Sequence, residues 1–250
     1  MNTLFVDAGN TRVKWQLGIA ADIQSCAIDE SLQFVDWVRQ AAHKIESIAI
    51  SSVQTNDWNQ MLESLCHELV IEHWLAESQG ESMGLISAYA NSEHLGVDRW
   101  LAMLALWNKY GKGFVLVDAG TAITLDVVDN WGKHQGGFIL PGLELQRAAL
   151  LNTSQSLATL VTEPAEYQAD LATDTRAAID HGIFASTVAL VEKLMSDAGH
   201  GQLVITGGDA AHFLVALPEG VGIENLVLRG LDMAWAEHHR NREIRDMTSQ

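Results

Sequence analysis

The chain has 250 residues, 48% hydrophobic and 19% charged, a composition typical of a soluble globular protein with a buried core. Its formal net charge of −17 argues against a nucleic-acid-binding surface, which requires a basic face. Two cysteines are too few for a disulfide framework, so a reducing cytoplasm is expected. We find neither a signal-peptide pattern nor an apolar run near the roughly 18 residues that span a bilayer, so no membrane partner is predicted.

The first predicted element is a hairpin that begins with an apolar run ending in an aspartate. Leu4–Val6 precede the tight turn Asp7–Asn10, and polar and apolar residues then alternate along Arg12–Leu17. This pattern predicts a buried strand, a turn and a second strand with one wet face. Gly9 allows close approach of a ligand to the backbone, and the neighbouring amide, hydroxyl and Lys14 suit phosphate oxygens.

Alternating strands and helices follow. The patterns predict a weak third strand near residues 25–28, a helix over 31–44 capped by Ser31, and a strand over 47–53. They also predict a helix over 56–68, a strand over 69–74 and a helix over 98–110 that ends at Gly111. This order favours an α/β fold in which helices cover a mixed sheet.

The opening pattern recurs 111 positions later, where Val115–Val117 lead into Asp118-Ala119-Gly120-Thr121. A repeat at that distance predicts two related subdomains, 1–112 and 113–250, with a last helix able to pack back on the first. The second half is predicted to contain a hairpin over 114–128, helices over 143–151, 175–198 and 226–243, and a strand that enters the turn at Gly207.

The two aspartates have two interpretations. If the copies face each other, paired carboxylates and glycine turns would flank one cleft suited to a metal-bound polyphosphate. Alternatively, Asp7 and Asp118 are ordinary residues at strand ends. The duplication favours the first interpretation.

A turn-rich loop, Ala88–Val97, delivers Asp98 and Arg99 to the start of a helix. Asp98 suits the N-cap of that helix, which is the structural interpretation. An acid beside a guanidinium at a positive helix end also suits a small polar substrate. The carboxylate would then accept a proton from a hydroxyl, and Arg99 would hold an anionic group.

Together these motifs resemble those of the type III pantothenate kinases over nearly the whole chain. That family belongs to the acetate kinase, sugar kinase, Hsp70 and actin superfamily, whose members duplicate an RNase H-like unit around a nucleotide cleft. The resemblance implies an α/β, actin-like ATPase fold with two RNase H-like subdomains. One departure is Ser92, which stands where the family usually has proline. The matching segments are Asp7–Lys14, Asp118–Ala122, Tyr89 with Gly96–Arg99, Gly136–Gly142, Asp174–Gly182 and Thr206–Asp209.

The resemblance implies ATP-dependent phosphorylation of pantothenate to 4′-phosphopantothenate, the first step of coenzyme A biosynthesis. Asp98 takes the position of the proton acceptor, Asp118 is associated with a monovalent cation (K⁺ or NH₄⁺), and Mg²⁺ is expected near Asp7. The resemblance also implies a homodimer in which Thr175 reaches pantothenate across the interface. The implied ATP-binding residues are Asp7, Ala8, Gly9, Asn10, Thr11, Arg12, Val13, Lys14 and Thr121, and the implied pantothenate-binding residues are Tyr89, Gly96, Val97, Asp98, Arg99 and Thr175.

Two other functions fit the same motifs. A relative of this family has been regarded as a transcription accessory factor, so a non-catalytic regulator on this fold is one alternative. A sugar or acyl kinase of the same superfamily is the other, because the phosphate motifs do not specify the acceptor. The intact Asp98 favours a kinase, since a pure binding protein does not need a base.

Overall fold

The computed structural model of the protein describes residues 2–153, 157, 163–199 and 201–248. Its strands and helices alternate in an α/β order, as the sequence predicts. In chain order they are β1 (Thr3–Ala8), β2 (Arg12–Leu17), β3 (Gln24–Ala27), α1 (Leu32–Ala41), β4 (Ser47–Ser52), α2 (Asn56–Leu69), β5 (Glu72–Leu75), β6 (Glu81–Ser82), β7 (Leu85–Ile86), α3 (Val97–Tyr110), β8 (Phe114–Ala119), β9 (Ala122–Val128), β10 (His134–Pro141), α4 (Leu143–Asn152), α5 (Thr175–Ala198), β11 (Gln202–Thr206), α6 (Ala210–Ala216), β12 (Val221–Gly222) and α7 (Leu226–Thr248).

Two five-stranded sheets have the same topology. Their strand orders are β3-β2-β1-β4-β5 and β10-β9-β8-β11-β12. In both sheets the first two hairpin pairings are antiparallel, and the two pairings beyond the central strand are parallel. The parallel strands require crossover connections, which the intervening helices provide. The duplicated sequence motif therefore corresponds to a duplicated sheet.

The chain divides into two compact units. One contains Met1–Lys109 and Leu226–Gln250, and the other contains Tyr110–Asn225. Helix α7 contacts β1 and β4, and Trp235 donates its indole N–H to Oγ1 of Thr3 at 3.2 Å. Compactness thus assigns the last helix to the first unit, whereas the predicted subdomain bounds, 1–112 and 113–250, follow the duplicated motif and stay a prediction.

Each unit has its own apolar core. In the first unit Phe34 of α1 and Leu62 of α2 pack against Leu4 and Ile48 of the sheet. In the second unit the sheet packs against α5 and α6 through residues that include Phe184 and Phe213. Burial of such side chains stabilises each by about 1.5–3 kcal/mol relative to exposure. Within the described ranges, no helix is both long and apolar enough to cross a membrane.

The prediction of Ser31 as the N-cap of α1 is confirmed in position, whereas other predicted element ends are wrong. Ser31 occupies the N-cap position of α1, but its side chain makes no capping hydrogen bond because the 3₁₀ turn Ile28–Glu30 runs directly into the helix. Strand β5 begins at Glu72 rather than residue 69, since α2 continues to Leu69 and ends at a left-handed Val70. Helix α7 extends to Thr248, five residues beyond the predicted end at residue 243.

Candidate active site

In the first unit, Asp7 lies one residue before the end of β1. It pairs with Lys14 across the hairpin and with Ser51 on the parallel strand β4. Paired residues on neighbouring strands project from the same face of a sheet, so a carboxylate, an ammonium and a hydroxyl share this face. The alternation of β1 determines this placement, because Leu4, Val6 and Ala8 occupy the opposite, core-facing side.

The turn after Asp7 is closed by its own backbone. The Gly9 N–H donates to the Arg12 carbonyl at 3.0 Å, and the Thr11 carbonyl accepts the N–H of Ile28 at 2.9 Å. The Arg12 guanidinium donates to Oγ of Ser25 at 2.7 Å and so extends toward β3. These contacts fix the turn that contains most of the residues predicted to bind ATP.

The residues of this turn that the family resemblance assigns to ATP binding differ in their exposure to solvent. Ala8 and Val13 have core side chains with 1% and 0% exposure, so either residue would contact a ligand only through its main chain. Asn10 and Thr11 are exposed at the tip, and Asp7 and Lys14 are half-buried. The tip therefore presents polar groups while the strand interiors anchor it.

The Ser51 hydroxyl is a candidate site group that the sequence pattern did not identify. Its side chain is 1% exposed, and it has no hydrogen-bond partner among the described residues. A buried polar atom without a partner is costly and often marks the place of an unseen water, ion or ligand. Ser51 is recognised as a candidate because it pairs with Asp7 on the neighbouring strand, and this pairing cannot be deduced from the sequence.

The same face of β1 and β4 can accommodate a divalent cation only if a bound ligand and water supply most of the coordinating oxygens. Among the residues that the structure describes, no three His, Cys, Asp or Glu side chains form a metal-binding group. Mg²⁺ usually takes one or two carboxylates and completes its shell with phosphate oxygens and water. Asp7, with the Ser51 hydroxyl beside it, fits that limited role.

A second cluster in the first unit lies at the start of α3. Arg99 is 6% exposed, its Nη1 donates to the Tyr89 hydroxyl at 3.1 Å, and its Cζ lies 5.9 Å from the centre of the Tyr89 ring. Asp98 lies in the first turn of α3, which begins at Val97, so the predicted N-cap position of Asp98 is wrong. Its Oδ1 accepts the N–H of Arg99 at 2.8 Å.

The loop before α3 is anchored at both ends. Ser78 donates its hydroxyl to the Leu95 carbonyl at 2.8 Å, and the Tyr89 N–H donates to Oγ of Ser87 at 3.2 Å. Asn91 caps the 3₁₀ turn Ser92–His94 by accepting the N–H of Glu93. Ser92 is thus the first residue of a capped turn, a position that suits proline but does not require it.

In the second unit, Asp118 repeats the placement of Asp7. It lies one residue before the end of β8, opposite Thr124 and beside Thr206 of β11. The turn is one residue shorter than the first, with three residues between the pair Ala119–Ile123. Thr121 is exposed at its tip. A carboxylate with a neighbouring strand-end hydroxyl is therefore present in both units.

Two glycines let other loops pack onto this second turn. A Cβ on Gly142 would lie 2.3 Å from the Gly120 carbonyl oxygen, and a Cβ on Gly207 would lie 2.2 Å from the Ala119 carbonyl oxygen. The Gly142 N–H donates to the Thr121 carbonyl at 2.9 Å. Any side chain at either position would push the turn away, which explains why both positions are glycine.

Asp209, just after this glycine turn, has a shifted pKa. Its N–H donates to the Ala119 carbonyl at 2.9 Å. Burial raises the pKa of its carboxyl, and the nearby His212 partly opposes that rise. The loop after β11 is thus held against the turn that follows Asp118, and it carries an acid whose pKa is raised.

Thr175, the last predicted site residue, is the exposed first residue of α5. Asp174 caps this helix by accepting the N–H of Ala177 at 3.0 Å. Thr175 lies on the rim of an apolar pocket of about 500 Å³ between α4 and α5. A buried ion pair of Arg147 Nε with Asp180 Oδ1, 3.1 Å apart, joins the two helices.

The comparisons with known proteins agree with these motifs. Residues 3–197 match the family model described as type III pantothenate kinase. A type III pantothenate kinase of Marinobacter nauticus is 33% identical over 92% of this chain and 96% of its own length. One of Nitrosococcus oceani is 34% identical over 91% of each chain. This chain belongs to the type III pantothenate kinase family.

Solved structures show the fold that this family member shares. A conserved Campylobacter jejuni protein, assigned as a candidate Baf family transcriptional activator, has a TM-score of 0.64 with 23% identity, over 95% of this chain and 99% of its own. A Clostridium difficile activator of 2-hydroxyisocaproyl-CoA dehydratase with bound ADPNP has a TM-score of 0.51 with 13% identity, over 97% of each chain. These likenesses confirm the predicted fold class, an α/β protein with the duplicated RNase H-like sheets of actin-like ATPases.

Within this pantothenate kinase family member, the structure brings some predicted residues together inside one unit. Tyr89, Asp98 and Arg99 form one cluster, and Asp7–Lys14 form a single turn with its flanking strands. Asp118 and Thr121 belong to a turn of the other unit, as Thr175 belongs to one of its helices. That the two turns face one nucleotide stays a prediction.

Proposed function

We propose that this chain transfers the γ-phosphoryl group of ATP to the primary alcohol of pantothenate, giving 4′-phosphopantothenate. The observation that carries the proposal is the cluster of Asp98, Arg99 and Tyr89 at the start of α3, within a chain of this family. Pantothenate has a primary alcohol and a carboxylate. The cluster supplies a base for the alcohol and a buried cation for the carboxylate.

Asp98 is assigned as the general base. Its carboxylate lies at the positive end of a 14-residue helix, which stabilises the charged form that accepts a proton. The base orients the hydroxyl for in-line attack, and positioning supplies most of the acceleration in phosphoryl transfer. Arg99, oriented by the Tyr89 hydroxyl, holds the carboxylate of pantothenate.

The two Asp-Ala-Gly turns are assigned to ATP. Backbone and side-chain groups of residues 7–14 and Thr121 bind the phosphates, with Mg²⁺ held at Asp7 and a monovalent cation, K⁺ or NH₄⁺, at Asp118. When bound, these cations neutralise charge on the phosphate oxygens. Both turns are anchored by backbone hydrogen bonds, which supports a role that depends on fixed geometry.

A homodimer completes the proposal. Thr175 is exposed at the rim of the apolar pocket between α4 and α5, which supports its assignment to the pantothenate of a partner copy. The buried, unpaired thiols of Cys26 and Cys66 fit the reducing cytoplasm expected from the sequence.

An acceptor series tests the proposal against both alternatives. ADP release from ATP is measured with pantothenate, N-acetylglucosamine or glycerol as the acceptor, with and without KCl. We expect ADP release with pantothenate and not with the other two acceptors, and we expect KCl to increase its rate. Turnover only with another acceptor would assign a different kinase, and folded protein without any turnover would favour the regulator.

A further inference from the structure

The side chain of Gln54 contacts the first phosphate turn from 45 positions away in the sequence. Its Nε2 donates to the carbonyl oxygen of Gly9 at 2.5 Å. Gln54 follows β4, and its own N–H donates to Oγ of Ser52 at 3.2 Å. Ser52 in turn donates to Oδ1 of Asn59 on α2 at 2.6 Å. The glutamine is therefore held by a short polar network.

This contact fixes the orientation of one peptide group. A trans peptide is planar, so its carbonyl and its N–H point in opposite directions. Because the Gly9 carbonyl points toward Gln54, the N–H of Asn10 points away from Gln54. The carbonyls of Ala8 and Thr11 are likewise held by protein donors, at 3.1 Å and 2.9 Å. The carbonyl oxygens of Ala8, Gly9 and Thr11 thus face donors of the protein.

The Gly9–Asn10 peptide needs such a contact more than its neighbours do. Rotation of this peptide changes ψ of Gly9 and φ of Asn10, and neither residue resists it strongly, because glycine has no Cβ and asparagine tolerates positive φ better than most residues. A rotated peptide would present a carbonyl oxygen, rather than an N–H, to an anionic ligand. That orientation would repel phosphate oxygens.

Main-chain N–H groups hold the carbonyls of Ala8 and Thr11 in the first turn, and those of Ala119 and Thr121 in the second. The Gly9 carbonyl instead accepts a side-chain amide. Substitution of Gln54 would therefore free the Gly9–Asn10 peptide, while the main-chain hydrogen bonds of the turn would remain.

We propose that Gln54 is a positioning residue for ATP: it holds the Gly9–Asn10 peptide with its N–H directed to the phosphates. The inference rests on the proposed function of this turn. It predicts an effect on ATP and none on pantothenate, because Gln54 acts only through Gly9.

Gln54→Met tests the proposal, since methionine keeps the length of the side chain and removes the donor. We expect KM for ATP to rise about tenfold, the effect of one lost hydrogen bond, with KM for pantothenate unchanged. Gln54→Glu should raise KM for ATP further, because a carboxylate would face the Gly9 carbonyl. Gln60→Met is the matched control, an exposed position on α2 of the same unit.

Thermal unfolding of Gln54→Met and Gln54→Glu shows whether a higher KM for ATP comes from a misplaced peptide or from a loss of structure. An equal rise in both KM values, an unchanged KM for ATP in the folded variants, or the same rise in Gln60→Met would overturn the proposal. ATP binding measured by calorimetry keeps the test separate from the proposed reaction. If the wild type binds ATP without phosphorylating pantothenate, the proposed function fails, and equal ATP affinity in wild type and Gln54→Met would overturn the inference.

Discussion

A Cβ placed on Gly96 would lie 2.7 Å from Oδ1 of Asp98, a distance that such atoms do not adopt. The same oxygen accepts the N–H of Arg99 at 2.8 Å. Any side chain at position 96 must therefore displace the carboxylate that we assign as the base. The glycine is explained by the geometry of its neighbour rather than by its own backbone conformation.

Gly96→Ala should therefore lower kcat by about 10²-fold, as expected when a reacting group moves by roughly 1 Å. The melting temperature should change little, because the displaced carboxylate ends a short side chain in the first turn of α3. Gly80→Ala is the control, since a Cβ there meets no atom within 4 Å. Wild-type turnover in Gly96→Ala would contradict the assignment.

Asp98→Asn should lower turnover by about 10²-fold or more, the contribution of a general base. The amide oxygen can still accept the Arg99 N–H, so thermal stability should be retained. Steady-state kinetics with saturating ATP and pantothenate measure the effect, and Asp36→Asn on the exposed face of α1 is the control. Near-normal turnover would remove Asp98 from this role.

Ser51→Ala should impair catalysis without impairing stability. Removal of a buried hydroxyl that has no described hydrogen-bond partner is neutral or stabilises the fold by up to about 1 kcal/mol. If the hydroxyl contacts the ligand at Asp7, kcat/KM for Mg-ATP should fall several-fold. Ser47→Ala removes the 2.9 Å hydrogen bond to the Thr3 hydroxyl, so it should lower stability and leave kcat/KM for Mg-ATP unchanged. Unaltered kinetics in Ser51→Ala would show that Ser51 is structural.

Val70→Gly should stabilise the protein by about 1 kcal/mol. Val70 ends α2 with a φ of 55°, a left-handed conformation that is unfavourable for a β-branched residue and natural for glycine. Its side chain is 92% exposed, so little packing is lost. Urea unfolding measures the change, and Asn225→Gly should gain less, because asparagine tolerates its φ of 58°. A destabilised Val70→Gly would contradict this account.

The pH dependence of stability should include a contribution from His238. Burial lowers the pKa of its imidazole, and His239 and Arg242 lower it further, against an opposing effect of Glu72. Because the folded pKa lies below the unfolded value, near 6.5, the unfolded chain binds the proton more tightly. The free energy of unfolding therefore falls as the pH drops below about 6.5 and through the lower, folded pKa.

His238→Phe tests this contribution while preserving the ring contacts of His238 with Trp74, at 4.9 Å, and Trp235, at 5.8 Å. We expect its melting temperature to fall less between pH 7.5 and pH 5.5 than that of the wild type. His94→Phe, at an exposed position, should retain the wild-type difference. An identical pH dependence in wild type and His238→Phe would refute the contribution.

Much of the fold could be predicted because its signals are local. The apolar run before Asp7 and the alternation after Arg12 correctly indicated the β1–β2 hairpin. Element ends were less predictable where no local residue marks them. Val70 ends α2 without glycine, and the 3₁₀ turn before α1 removes the need for a Ser31 cap. In the first case no glycine marks the end of the helix, and in the second the serine at the N-cap makes no capping bond.

The duplicated Asp-Ala-Gly hairpins and the adjacent Asp98 and Arg99 can be recognised in the sequence, because strand periodicity and helix starts depend on neighbouring residues. The groups that support them become visible only in the folded chain. Gln54 contacts Gly9, and Gly207 packs on Ala119, across many intervening residues. Such contacts depend on how strands and loops pack in space, and that packing leaves no periodic pattern in the chain.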